Sequence, residues 1–164
     1  MHKEYFKFSC AHFLIFPDGS KERLHGHNYY VEAEIEGALG DEGIVIDFIQ
    51  VKPVIRELCD GLDEHWILPG EHDELAVSPR DDGHTEVTYR DARYLAPSDE
   101  ILVLPINNTS AENFATWIGR ELRQRLVDRF GRTHIQKLRV AVSETSGQWG
   151  VYFYSDEDGE AAPS

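Results

Sequence analysis

His25-Gly26-His27 places two imidazoles two positions apart. On an extended segment, positions i and i+2 point to the same side. That side also carries Tyr29, Val31, Ala33 and Ile35, so it reads as the inner face of a strand. His12 lies on the apolar face of the preceding strand, in line with Phe6, Phe8 and Cys10. If these strands pair, three imidazoles converge from one face. Three neutral imidazoles suit Zn²⁺ at about 2.0–2.1 Å and leave a fourth position open to water or substrate. An open site of this kind is catalytic in type, because structural zinc is usually closed by four protein ligands. The competing reading is that histidines near a turn only hydrogen-bond. A second residue that asks for partners is Glu144. It follows Leu138, Val140 and Val142 on the apolar face of its strand, and a buried carboxylate needs donors.

The elements that must hold these groups follow from periodicity. Residues 4–13 and 25–36 alternate as half-buried strands, with Glu32, Glu34 and Glu36 on the wet face of the second. Between them, Pro17-Asp18-Gly19-Ser20 marks a turn-rich loop. Asp47, with Gln50 three residues on, can cap a helix whose stripe is Phe48, Val51, Val54, Ile55, Leu58 and Leu62. Pro53 would kink that helix or delay its start. A second helix begins near Thr109 or Ser110, where Thr109 with Glu112 matches a capping box. Its stripe is Phe114, Trp117, Ile118, Leu122, Leu126 and Phe130, and Gly131 would end it. Two last strands, around Leu138–Glu144 and Trp149–Tyr154, flank a turn at Ser146-Gly147-Gln148. Residues 70–104 stand apart, with strand-like pieces at Glu86–Arg90 and Ile101–Leu104, and read as an inserted hairpin or lid. The order predicts an α+β domain, helices on one face of an antiparallel sheet. The acidic residues 156–164 are expected to be a disordered tail.

Thirty acids against sixteen bases give a net charge of −14 over 164 residues. That surface disfavours nucleic acid and anionic membranes, so neither is expected as a partner. Two cysteines, Cys10 and Cys59, make no disulfide framework. The N-terminus lacks a signal peptide's apolar stretch, and no run reaches the roughly 20 residues of a membrane span. The expectation is a soluble, cytoplasmic protein.

Phe8-Ser9-Cys10-Ala11-His12 resembles the F-S-A-A-H element of the 6-pyruvoyl- and 6-carboxy-tetrahydropterin synthase family. The resemblance continues through Leu24-His25-Gly26-His27-Asn28-Tyr29, Val45-Ile46-Asp47-Phe48 and Leu62-Asp63. It resumes at Ser110-Ala111-Glu112-Asn113 and Ser143-Glu144-Thr145. It implies a tunnelling fold (T-fold), with a four-stranded antiparallel sheet and two helices on one face. It implies one pterin-binding domain over residues 1–155 and a homo-oligomer, usually a dimer of trimers. It further implies that zinc sits on His12, His25 and His27 and binds side-chain oxygens of a pterin. Glu144 would accept from the pterin N3–H and 2-amino group. Ser110 and Glu112 would contact the substrate, or serve only to cap the helix.

Two departures fall on proton-transfer groups. The family's loop cysteine before H-G-H is absent, and Ser20-Lys21-Glu22-Arg23-Leu24 stands there. The family's L-D-H reads Leu62-Asp63-Glu64-His65, so Asp63 matches, Glu64 replaces the histidine, and His65 follows one position late. Glu22 resembles the glutamate of a cysteine-lacking branch that cleaves the dihydroneopterin side chain. Read otherwise, Glu22 is a solvated loop acid. Three functions follow: that cleavage, yielding 6-hydroxymethyl-7,8-dihydropterin, with Glu22, Asp63, Glu64 and His65 as catalytic candidates; 6-pyruvoyl- or 6-carboxy-tetrahydropterin synthesis; or pterin binding without catalysis. Arg80, Arg90 and Arg93 are read as surface charge rather than a phosphate site.

Overall fold

Alternation turns directly into structure at the N-terminus. β1 (Phe6–His12) buries Phe8, Cys10 and His12 and leaves Lys7, Ser9 and Ala11 more open. The computed structural model describes residues 6–41, 43–131, 135–145, 147–157 and 159–160. β2 (His25–Gly37) runs antiparallel to β1, with Phe8 opposite Tyr29, Cys10 opposite His27 and His12 opposite His25. β8 (Ile135–Thr145) lies along the other edge of β2, and β9 (Gln148–Ser155) pairs with β8. These four strands are the antiparallel core that alternation predicts.

The sheet does not stop there. β3 (His65–Pro69) runs parallel to β1, and β7 (Ile101–Leu104) runs parallel to β3. A two-residue β10 (Gly159–Glu160) pairs with β9. Among the described residues the order is β10-β9-β8-β2-β1-β3-β7. The expected four-stranded antiparallel sheet is therefore corrected to six strands plus β10, mixed in direction. The reason is legible in β3. Ile67 packs into the core beneath the helices, while Trp66 and Leu68 pack into a second cluster on the other side. A strand buried on both faces shows no alternation.

Ile101–Leu104 thus belongs to the main sheet and not to an insert. What departs from β3 and returns to β7 is a three-stranded antiparallel meander: β4 (Leu75–Pro79), β5 (His84–Tyr89) and β6 (Ala92–Pro97). Val87 and Tyr89 pack with Phe13, Ile15, Trp66 and Leu68 to form the second cluster. Arg80, Arg90 and Arg93 each pair with an acid on this meander or beside it: Arg80 with Asp82 and Glu86, Arg90 with Glu74, and Arg93 with Glu86.

Both helices cover one face of the sheet. α1 (Phe48–Asp60) starts at Asp47, whose carboxylate accepts from the Ile49 amide at 2.8 Å. Val51, Val54, Ile55, Leu58 and Leu62 are buried as expected, but Phe48 is 57% exposed. Pro53 sits inside the helix. The carbonyl its missing N–H would have served belongs to Ile49, a residue 81% exposed, where water can take its place. α2 (Ala111–Phe130) is capped by Ser110, whose hydroxyl accepts from the Asn113 amide. Thr109 is not the cap. Its hydroxyl donates to the Phe13 carbonyl, so the capping box with Glu112 does not form. Phe114, Ile118, Leu122 and Leu126 fill the core, and Gly131 ends the helix at φ 75°.

Three expectations touch residues outside those described. Residues 4 and 5 of the first expected strand lie outside them. Ser146 of the β8–β9 turn lies outside them. So do residues 158 and 161–164 of the expected tail, although Gly159–Glu160 form β10. Among the described residues no helix is long and apolar enough to cross a membrane.

Candidate functional site

The β1–β2 register brings the three histidines together. Ring centroids lie 4.8 Å apart for His12 and His25, 5.4 Å for His12 and His27, and 4.7 Å for His25 and His27. His12 is buried, and the other two are about one-third exposed, so the cluster opens on their side. Backbone carbonyls fix two of the rings. His12 Nδ1 donates to Thr109 O at 3.1 Å, and His25 Nδ1 donates to Arg23 O at 2.7 Å. A carbonyl can only accept, so Nδ1 carries the proton and Nε2 keeps its lone pair. Metal-binding histidines are commonly held in this way, with a carbonyl accepting from one ring nitrogen so that the other can face an ion. The Tyr29 hydroxyl, 3.1 Å from His12 Nε2, donates to that lone pair.

A fourth group joins them. Glu144 sits where the β8–β9 register shifts between Ser143 and Thr145. Its Oε1 is 2.8 Å from His27 Nε2 and 3.7 Å from His12 Nε2. Among the described residues, His12, His25, His27 and Glu144 offer ligand atoms all within 4.8 Å of one another. Three imidazoles and a carboxylate are a donor set that fits zinc and the neighbouring divalent metals. Sequence reasoning assigned Glu144 to the substrate and did not foresee its closeness to the histidines. Nor did it foresee that Thr109 and Tyr29 both hydrogen-bond His12. Tyr29 could have been found, since it continues the His25, His27 face by two residues.

Glu22 lies at the rim of this cluster. Its Oε2 is 3.8 Å from His25 Nε2 and accepts from the Leu14 amide at 3.1 Å. The Glu22 amide in turn donates to Leu14 O at 2.9 Å. The residue is thus held at both its backbone and its side chain, unlike a solvated loop acid.

Asp63, Glu64 and His65 follow the end of α1. Asp63 Oδ1 accepts from the Ser9 amide at 2.6 Å, tying the turn to β1. Glu64 adopts φ 58°, a left-handed conformation uncommon away from glycine, and its amide donates to Ser9 O. His65 then enters β3 opposite Cys10. It is on a strand and not on a helix, so its one-residue offset does not rotate it around a helix axis. His65 Nδ1 donates to Asp63 O at 2.7 Å, which turns Nε2 away from that bond. A cavity of about 390 Å³ is walled by Ser9, His27, Asn28, Glu64, His65 and Trp66, among others. The structure therefore brings Glu64 and His65 to a cavity that His27 also borders. Asp63 contributes to it only through its hold on the turn.

Ser110 is engaged as the α2 cap, and Glu112 is exposed in the first helical turn. Burial pushes both thiols up to about 12, so Cys10 and Cys59 are protonated at neutral pH and neither replaces the missing loop cysteine.

Burial, followed by the nearby His25, lowers His12 to about 4 from an ordinary 6.5. The ring is therefore neutral at pH 7 and able to ligate. Since the unfolded chain takes up this proton first, stability is complete above about 6.5 and falls as the pH drops toward about 4. The loss is on the order of 3 kcal/mol. Urea unfolding of the metal-free protein across that range should show it, and the slope should flatten in His12→Gln. Equal slopes in the two proteins would assign the acid loss to other groups.

Residues 1–155 match the family model described as 6-pyruvoyl tetrahydropterin synthase. A Methanocaldococcus jannaschii protein assigned as a 6-carboxy-5,6,7,8-tetrahydropterin synthase is 33% identical over 147 residues, 89% of this chain and 88% of that one. The crystal structure of 6-pyruvoyl tetrahydropterin synthase from Plasmodium vivax superposes with a TM-score of 0.84 at 33% identity, covering 92% of both chains. A variant of the same P. vivax protein, with a catalytic glutamate replaced by alanine, gives a TM-score of 0.84 at 32% identity over 92% of each chain.

Proposed function

This chain belongs to the 6-pyruvoyl tetrahydropterin synthase family of pterin biosynthesis, and we propose that within it the protein is a zinc-dependent lyase. It cleaves the side chain of 7,8-dihydroneopterin, or of its phosphates, to 6-hydroxymethyl-7,8-dihydropterin. The observation that carries this reading is Glu22, whose carboxylate stands 3.8 Å from His25 Nε2 in a loop without a cysteine. The P. vivax relative, where a glutamate is the catalytic residue, supports a carboxylate in that role.

His12, His25 and His27 would hold the zinc, which supplies Lewis acidity toward the side-chain oxygens and lowers a hydroxyl pKa. The chain's own groups do the rest. Glu22 takes the proton of the 2′-hydroxyl. The C1′–C2′ bond breaks, its electrons pass into the ring C=N, and glycolaldehyde leaves. C1′ is then reprotonated, a task for the group formed by Asp63, Glu64 and His65 at the shared cavity. His65 would serve as a relay: with Nδ1 held by Asp63 O, its Nε2 can take up the proton released from the 2′-hydroxyl and hand it on to C1′. Were a cation to take up the His27 ring, the Glu144 carboxylate, which otherwise lies 2.8 Å from its Nε2, would be available to accept from the pterin N3–H and 2-amino group. Ser110 and Glu112, at the start of α2, complete the substrate-binding set.

The unit proposed for this chemistry is residues 1–155, assembled as a homo-oligomer, a dimer of trimers. Tyr30, Trp149 and Phe153 support assembly. They are 40–45% exposed and line the sheet face opposite the helices.

The test incubates the zinc-loaded protein with dihydroneopterin and, separately, its triphosphate, and identifies products by mass. Hydroxymethyl-dihydropterin is expected. The name borne by the M. jannaschii relative favours a second reading, 6-carboxy-tetrahydropterin synthesis, and that product would replace the first reading. Binding of both pterins without turnover would leave a pterin-binding protein.

A further inference from the structure

Besides packing against it, the meander β4–β6 is hydrogen-bonded to the loop that carries Glu22 through Tyr89 and Tyr94, and neither bond belongs to the reaction chemistry. The Tyr89 hydroxyl donates to Gly19 O at 2.9 Å. Lys21 Nζ donates to the Tyr94 hydroxyl at 2.7 Å and to Glu22 O at 3.0 Å. The same ammonium lies 4.6 Å from the Phe13 ring centroid and 5.2 Å from that of Tyr94, within cation–π range. Tyr94 stacks on Phe13 and meets the edge of Trp66, so its ring is itself held by the second cluster. Lys21 and Glu22 are neighbours on an extended stretch, where consecutive side chains face opposite ways. One faces the meander and the other faces His25.

We propose that the meander is a positioning clamp: Tyr94, acting through Lys21, fixes the loop so that the Glu22 carboxylate stands at the histidine cluster. Lys21 and Tyr94 are positioning residues, and the proposal rests on Glu22 being the base. The clamp explains why a meander with no reactive group of its own packs beside the site. A charged hydrogen bond between two partly buried groups is among the stronger tethers a loop can have.

The test compares Tyr94→Phe, which removes the hydroxyl but keeps the stacking ring, with Tyr94→Ala and Lys21→Met. Hydrogen exchange by mass spectrometry follows residues 14–24, with β8 as the internal reference. Exchange of that loop should quicken about 10-fold in each variant, the effect of losing a hydrogen bond to a charged group. With dihydroneopterin, kcat should fall about 10-fold with KM and zinc content unchanged. Lys21→Arg, which can still donate to both oxygens, should restore both quantities. Unchanged exchange in Tyr94→Phe and Tyr94→Ala overturns the clamp. Faster exchange with undiminished kcat, in a protein that Glu22→Gln inactivates, overturns the positioning role. Faster exchange while Glu22→Gln stays fully active sinks the assignment of Glu22 as base and leaves the clamp on the loop standing.

Discussion

Glu22→Gln is expected to lower kcat for side-chain cleavage by about 10²–10⁴-fold, the usual worth of a positioned general base. The substitution is chosen for what it keeps. An amide oxygen can still accept from the Leu14 amide, and the Glu22 amide still donates to Leu14 O, so the loop geometry survives. Only the ability to take a proton is lost. Zinc content and pterin affinity should stay at wild-type values, which separates loss of the base from loss of the site. Cleavage at the wild-type rate would remove Glu22 from the mechanism. It would turn attention to Glu64 and His65, which border the cavity beside His27.

His27→Ala should weaken zinc binding by more than the roughly 10–100-fold that loss of an outer-shell partner costs. It removes one of three imidazoles outright, along with the partner of Glu144. Titration of the metal-free protein with Zn²⁺, followed by calorimetry, checks this. The fold should tolerate the change. His27 is 30% and Glu144 26% exposed, so water can solvate both the gap and the freed carboxylate. His12→Ala would be a poorer probe, because His12 is 1% exposed and its loss opens a hole beside Tyr29 and Phe114. Wild-type affinity in His27→Ala would exclude this residue as a ligand.

The histidine cluster was legible in the sequence because strand periodicity has only two phases. Once His12 and His25-Gly26-His27 fall on apolar faces of neighbouring strands, convergence follows. Both helices were legible for the same kind of reason, with Asp47 and Ser110 announcing their starts. Glu144 was placed on the right face, but its contact with His27 depends on the pairing of β8 with β2, with Ser143 opposite Tyr30, and periodicity does not encode which strand lies beside which. β3 escaped notice because His65–Pro69 is packed from both sides and so lacks alternation. Missing β3 made β7 look like part of an insert. The Thr109 carbonyl that orients His12 had no signal at all, since a backbone oxygen looks the same in every residue. Residues 75–97 carried strand-like patches without a partner to pair with. Their partners were each other, and their purpose lay in Phe13 and Lys21, more than 50 positions upstream.

The carbonyl that holds His12 comes from 97 residues further along the chain. During synthesis, β1 and β2 leave the ribosome carrying all three histidines long before Thr109 or Glu144 exists. The early hairpin is a set of imidazoles whose tautomers are not yet fixed, and such a set would rank divalent ions by their intrinsic affinity, copper above zinc. The fixed arrangement arrives only when the last third of the chain docks, with β8 zipping onto β2 and the turn before α2 reaching His12 at the end of β1. The finished geometry of the histidine cluster is therefore a late product of topology, completed only when residues far along the chain reach the first two strands.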